Sequence, residues 1–169
     1  MLYIFGKVFC ILYKENNMDD RLSTLTTPEE CEQVAKNVAA RDPELALAAR
    51  RRAVELNAIK HGATCEAEQE ALKAVYAYEE VLRKKHGKGR RASRTWKMIK
   101  DKGIIPAVEK TVTRKKETTG YQALVDMGMQ DFAFEAVVCR YPNVFSPEAL
   151  KCSQARLKEW QADDGKKVK

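Results

Sequence analysis

The sequence predicts an all-α protein, an irregular bundle of about seven or eight helices. Three observations lead there. The composition is rich in alanine, leucine, glutamate, lysine and arginine, with only 8 glycines and 5 prolines among 169 residues, a mixture that favours helices. Helix start signals recur, three of them a capping side chain followed by proline and an acid. Apolar residues keep helical spacing from Thr27 to Trp160, and beyond residue 17 no alternating run reads as a strand. The length suits one domain or one domain with a small appendage, and 44% hydrophobic residues suffice for a core.

The opening "MLYIFGKVFCILYKENN" differs from everything after it. It is apolar and β-prone, with Lys7 in its middle. It is short of the roughly 20 apolar residues that cross a bilayer, and it lacks the basic n-region and cleavage site of a signal peptide. Residues 1–17 read either as a short strand or apolar arm packed on the body, or as an extension ahead of Met18 that adds little. The second reading is favoured. Thr27, Pro28 and Glu30 then form a capping box, opening a helix with Cys31, Val34, Ala35 and Val38 on one face, ending near Arg41. Asp42 and Pro43 open a second helix to His61, closed by Gly62, with Leu45, Ala49, Ala53, Leu56 and Ile59 on one side. Thr64 opens a third, which carries Ala67, Ala71, Ala74, Val75, Tyr78, Val81 and Leu82 to His86 and Gly87.

Arg94 to Lys102 reads as a short helix with Trp96 and Ile99 inward, broken by Gly103, and Pro106 starts the next with Ile105, Val108 and Val112 on one face. After the polar joint "RKKETTG" come "YQALVDMGM", "QDFAFEAVVCRYP" and "SPEALKCSQARLKEW". In the last, Ser146 caps, Pro147 leads the helix, and Leu150, Leu157 and Trp160 mark the apolar face. The expected organisation is a helical half over 18–86, a basic linker and short helix pair over 87–117, a compact helical half over 118–161, and a disordered tail over 162–169.

Charge is the informative part. The formal net charge is +7, yet residues 83–116 alone hold 14 Lys or Arg against two acids, Asp101 and Glu109. A basic centre therefore lies within an acidic remainder. Clustered cations release the counterions of a phosphate backbone, the main source of sequence-independent affinity for nucleic acid. Lys84 and Lys85 end one helix, Lys88, Arg90 and Arg91 sit in the loop "GKGRRASRT", and Arg94, Lys97 and Lys100 share a ridge of the next helix. Lys110, Arg114, Lys115 and Lys116 flank them. Cations at a helix C-terminus also complement its dipole, which accounts for Lys84 and Lys85 but not for the whole run. "TWKMIKDKGIIPAVEKTV" has about the lengths of a helix-turn-helix, whose groove residues would be Lys110, Thr113 and Arg114. The early Pro106 and polar Glu109 favour two packed helices joined by a glycine turn instead. "RRAS" matches a basic-directed kinase site at Ser93, which reads preferentially as an N-cap.

Catalytic apparatus is not legible. There is no G-x-x-x-x-G-K-[ST] and no G-x-G-x-x-G after a strand. The two histidines, His61 and His86, each precede a glycine and read as helix C-terminal charges. No four ligands have metal-like spacing, so no metal and no cofactor is expected. Asp126, Asp131 and Glu135 are the best carboxylate cluster, but "DFAFEAVV" favours Phe132, Val137 and Phe134 in the core and the acids in water. Five cysteines without a C-x-x-C pair suit a reduced, intracellular, cytoplasmic protein, and Cys139 lacks the partner a nucleophile needs.

In "ALVDMGMQDFAFEAV", Leu124, Met127, Gly128 and Met129 form a pattern that resembles ubiquitin-associated three-helix modules. The resemblance is confined to a few positions, and it implies a loop that binds a partner's apolar surface. The residues themselves suit core packing, and core is the reading taken. The expectation is thus a non-enzymatic helical protein, without a membrane segment, that binds DNA or RNA through residues 83–116. The alternative is a helical adaptor or inhibitor docking on an acidic surface of a protein partner, such as a nucleic-acid-handling enzyme.

Overall fold

The computed structural model describes residues 20–87, 90–114 and 120–164, with backbone alone for 161–164. The reading of residues 1–17, together with Lys88, Lys115, Lys116 and residues 165–169, lies outside them. The described chain is all-helical: α1 (Pro28–Val38), α2 (Pro43–His61), α3 (Glu66–His86), α4 (Ser93–Lys102), α5 (Ile104–Val112), α6 (Gly120–Val125), α7 (Phe134–Arg140) and α8 (Pro147–Asp164), with 3-10 turns at Asp20–Leu22 and Gln130–Phe132. None of these helices is long and apolar enough to cross a membrane. The chain divides into two compact units between Ala53 and Val54, inside α2.

In the first unit, local chemistry sets the helix starts. The Thr27 side chain accepts from the Glu30 amide at 3.2 Å, and the Glu30 carboxylate accepts from the Thr27 and Thr26 amides, each at 3.0 Å. These bonds hold the Glu30 carboxyl below the usual carboxylate range. Asp42 caps α2 by accepting from the Leu45 amide at 2.9 Å. Leu22, Ala35, Leu45 and Ala49 form the core, with Leu25, Val34, Val38 and Ala48 at its edge.

In the second unit α3 is the central helix, touching α5, α6 and α7, while α8 packs on α7 and α5. Small residues on α3, Ala67, Ala71 and Ala74, let the valines of two other helices approach closely: Val108 and Val112 from α5, Val137 and Val138 from α7. Phe145 and Ala149 complete this core. Burying each valine contributes about 1.5–3 kcal/mol. Tyr121 and Trp160 stack with ring centroids 3.6 Å apart. Gly120 lies against the Tyr78 ring, 3.4 Å from where a Cβ would stand.

Several expectations are corrected. Ile59 was expected inward and is 56% exposed. The cap of α3 is Cys65, not Thr64; Thr64 instead donates its amide and hydroxyl to Glu68, at 2.8 and 2.6 Å. Pro106 is the third residue of α5 rather than its start, and α8 runs to Asp164, into the expected tail. Met129 is fully buried, so the Met-Gly-Met turn contributes to the core, with Gly128 at φ 67° making the bend.

Candidate functional site

The basic surface begins where α3 stops. Gly87, at φ 80°, ends the helix and donates its amide to the Arg83 carbonyl at 2.9 Å. Lys84, Lys85, Arg90, Arg91, Arg94, Lys97 and Lys100 are all exposed. Arg83 is engaged by Glu80 at 3.2 Å, and Arg91 stands 3.8 Å from Glu79. Among the described residues, Lys84, Lys85, Arg90, Arg94, Lys97 and Lys100 have no carboxylate partner. α4 buries no residue; Trp96, Met98 and Ile99 are half-buried on one side, and Arg94, Lys97 and Lys100 stand in water on the other.

The loop is pinned from beneath by one carboxylate. Glu79, almost buried on α3, accepts through Oε1 from the Ala92 amide at 2.9 Å and the Trp96 indole at 2.6 Å. It thereby serves the start of α4, where Ala92 occupies the cap position and Ser93, expected as the cap, is the first helical residue. Trp96 is the centre of a group of rings. His61 stacks on it at 4.8 Å and 22°, Tyr76 meets it edge-on at 5.3 Å, and the Arg91 guanidinium lies 5.8 Å from its centroid. His61 Nδ1 and the Tyr76 hydroxyl are 3.2 Å apart. Burial, with Glu79 adding, pushes the Tyr76 phenol up.

No protein-family model, no curated protein and no solved structure matches this chain.

Across Gly103 the surface continues onto α5. Lys110 and Arg114 are exposed. Lys102 beside Lys110, with Arg114 adding, holds the Lys110 ammonium below its usual value. The helix-turn-helix comparison fails on geometry. Gly103 alone joins α4 to α5, where that motif has a turn of three or four residues. Thr113, a groove residue in that comparison, donates its hydroxyl to the Glu109 carbonyl at 2.8 Å. Glu109 itself accepts from the Ser146 amide at 2.6 Å, fastening α5 to the start of α8.

The carboxylate cluster does not assemble. Glu135 was expected in water; it is 4% exposed and paired with Arg156 at 2.9 Å. Asp126 accepts from Gln122 on its own helical turn, at 3.1 Å. Arg140 reaches from α7 to Glu70 at 2.7 Å and to the Asp131 carbonyl at 2.9 Å. Among the described residues no three His, Cys, Asp or Glu gather closely enough to hold a metal ion. Burial pushes the Cys139 thiol up to about 11, with Glu135 adding, so it stays protonated and unreactive near neutrality.

Sequence reasoning missed the residues that give the basic surface its shape. Glu79 meets Ala92 and Trp96 from 13 and 17 positions away, and no local pattern marks that pairing. His61 was read as a helix-end charge, and its stacking on Trp96 has no signature in either neighbourhood. Lys102 was part of the counted basic run but was not singled out.

Proposed function

We propose that this protein binds nucleic acid, without catalysis, through phosphate contacts made by the loop before α4 and the outer ridge of that helix. The observation that carries the reading is the set Arg90, Arg94, Lys97 and Lys100, exposed and without a carboxylate partner among the described residues. Several half-buried cations of the same chain are paired instead: Arg156 with Glu135, Arg140 and Lys73 with Glu70, and Arg83 with Glu80. Arg94 to Lys100 spans about 9 Å along the helix, the axial rise of roughly two or three phosphates in one duplex strand. Lys84, Lys85, Lys110 and Arg114 extend the surface at either end, and Lys88, Lys115 and Lys116 belong to the same stretch of sequence.

The test is a binding titration across a salt series, with the parent and a variant carrying Arg90→Gln, Arg94→Gln, Lys97→Gln and Lys100→Gln. The parent binds, and log affinity falls linearly with log salt. Each lost contact reduces that slope by about 0.9 on duplex or about 0.7 on single strands. The variant folds as the parent does, since exposed side chains away from caps and cores contribute within about 0.5 kcal/mol. Equal affinity and equal slope in parent and variant overturn the proposal. So does a parent with no affinity at physiological salt, which would transfer the same surface to an acidic protein partner.

A further inference from the structure

The aromatic group beside the cations narrows the ligand class. We infer that the ligand is a single-stranded polynucleotide, one base of which stacks on the outer face of the His61 ring while its phosphates lie along Arg91, Arg90 and Arg94; this rests on the nucleic-acid reading above.

Three rings run continuously from the interior to the surface. Tyr76 is half-buried on α3, Trp96 is half-buried on α4, and His61 is exposed at the end of α2. Trp96 lies parallel to one flat face of His61, at 4.8 Å and 22°, and the contact with the Tyr76 hydroxyl at 3.2 Å fixes the ring's rotation. His61 is therefore a flat ring at the surface, laid parallel to Trp96 on one side and exposed to solvent. Covering the junction of α3 and α4 needs only Tyr76 and Trp96, which already meet at 5.3 Å; a flat exposed ring laid over them adds a platform.

Bases in a duplex spend their faces on one another. Bases in a single strand offer a free face next to a phosphate, and proteins that hold them set aromatic rings beside a basic track. That pairing is present here. Arg91 lies 5.8 Å from the Trp96 centroid and 3.8 Å from Glu79, a long ion pair with most of the Arg91 side chain in water, so its guanidinium can turn to a phosphate while Glu79 keeps its hydrogen bonds from Ala92 and Trp96. Arg90 and Arg94 flank it, both exposed.

The experiment measures the intact chain against an oligothymidylate, an oligouridylate and a blunt DNA duplex, each about 12 nucleotides long, within the site sizes such surfaces use. Single strands bind more tightly than duplex and quench the tryptophan emission; the two oligomers show whether deoxyribose, ribose or both are accepted. His61→Ala weakens single-strand binding about tenfold or more and leaves duplex binding within about twofold. His61→Tyr keeps the plane and retains the preference. His61→Lys supplies a cation without a plane and loses it. Parent-like single-strand binding by His61→Lys, or duplex bound as tightly as single strands with no quenching, overturns the inference. If the fourfold variant still lowers the salt slope in that case, the nucleic-acid reading survives it; if no oligomer binds, both fail.

Discussion

Glu79 Oε1 accepts from the Ala92 amide at 2.9 Å and from the Trp96 indole at 2.6 Å, with the Arg91 guanidinium 3.8 Å away. Removing it leaves two donors facing the surface of α3 with no acceptor. An orphaned buried donor costs about 1–3 kcal/mol, so Glu79→Ala lowers the unfolding free energy by about 2 kcal/mol or more, read from the denaturant midpoint. Glu79→Gln keeps an acceptor oxygen and costs less. Equal midpoints for Glu79→Ala and the parent would show that water replaces the carboxylate at no cost. What sequence could foretell at this scale was set by distance along the chain. The capping box of Thr27 and Glu30 closes within one turn, and the residues announce it. Glu79 finds its partners only once α3 and α4 are packed, and Glu135 looked like a solvated acid because Arg156, 21 positions away, is invisible from its neighbourhood. Ile59 failed in the opposite sense, apolar and in phase with its helix face but more than half exposed.

Among the elements, α4 and α5 form the pair on which the site depends. They share Gly103, at φ 89° and ψ 169°, a region open essentially to glycine alone and costly for other residues by about 1–3 kcal/mol. A Cβ there would have room, since its nearest neighbour is Pro106 Cδ at 3.8 Å. Gly103→Ala is therefore expected to destabilise through the backbone alone, by about 1–3 kcal/mol in thermal or chemical unfolding. A variant as stable as the parent would mean that the joint relaxes into another conformation. The glycine break was legible because it interrupts an otherwise continuous helical pattern. The start of α5 was not. Proline usually marks the first turn, and here Ile104 and Ile105 precede it, held at the edge of the core by α3 and α7.

Across the whole molecule, fold class was the most legible property, because composition, capping and periodicity all pointed the same way. The division inside α2 was not legible, since a helix of unbroken helical residues carries no composition change between Ala53 and Val54. The basic run was legible as charge, 14 cations in 34 positions, and helical spacing also set Arg94, Lys97 and Lys100 on a ridge away from Trp96. Only packing shows what holds that helix in place, the Glu79 carboxylate beneath its start and the His61 ring stacked on Trp96.

A helix that buries no residue has little to hold it folded by itself, and an isolated helix of this length is marginal in water. α4 hangs between two fixings, the Glu79 carboxylate at its start and Gly103 at its end, with the ring of Trp96 between them. It is therefore expected to open before α3 and α5. Amide hydrogen exchange should detect this as protection several-fold lower across α4 than across α3 or α5, whose valines and alanines sit in the core. Under the proposed function, a polynucleotide lying along Arg94, Lys97 and Lys100 would offset the cost of ordering that helix and slow its exchange. Uniform protection along α3, α4 and α5 in the free protein would show instead that two fixings and one ring are enough to make a surface helix as rigid as a buried one.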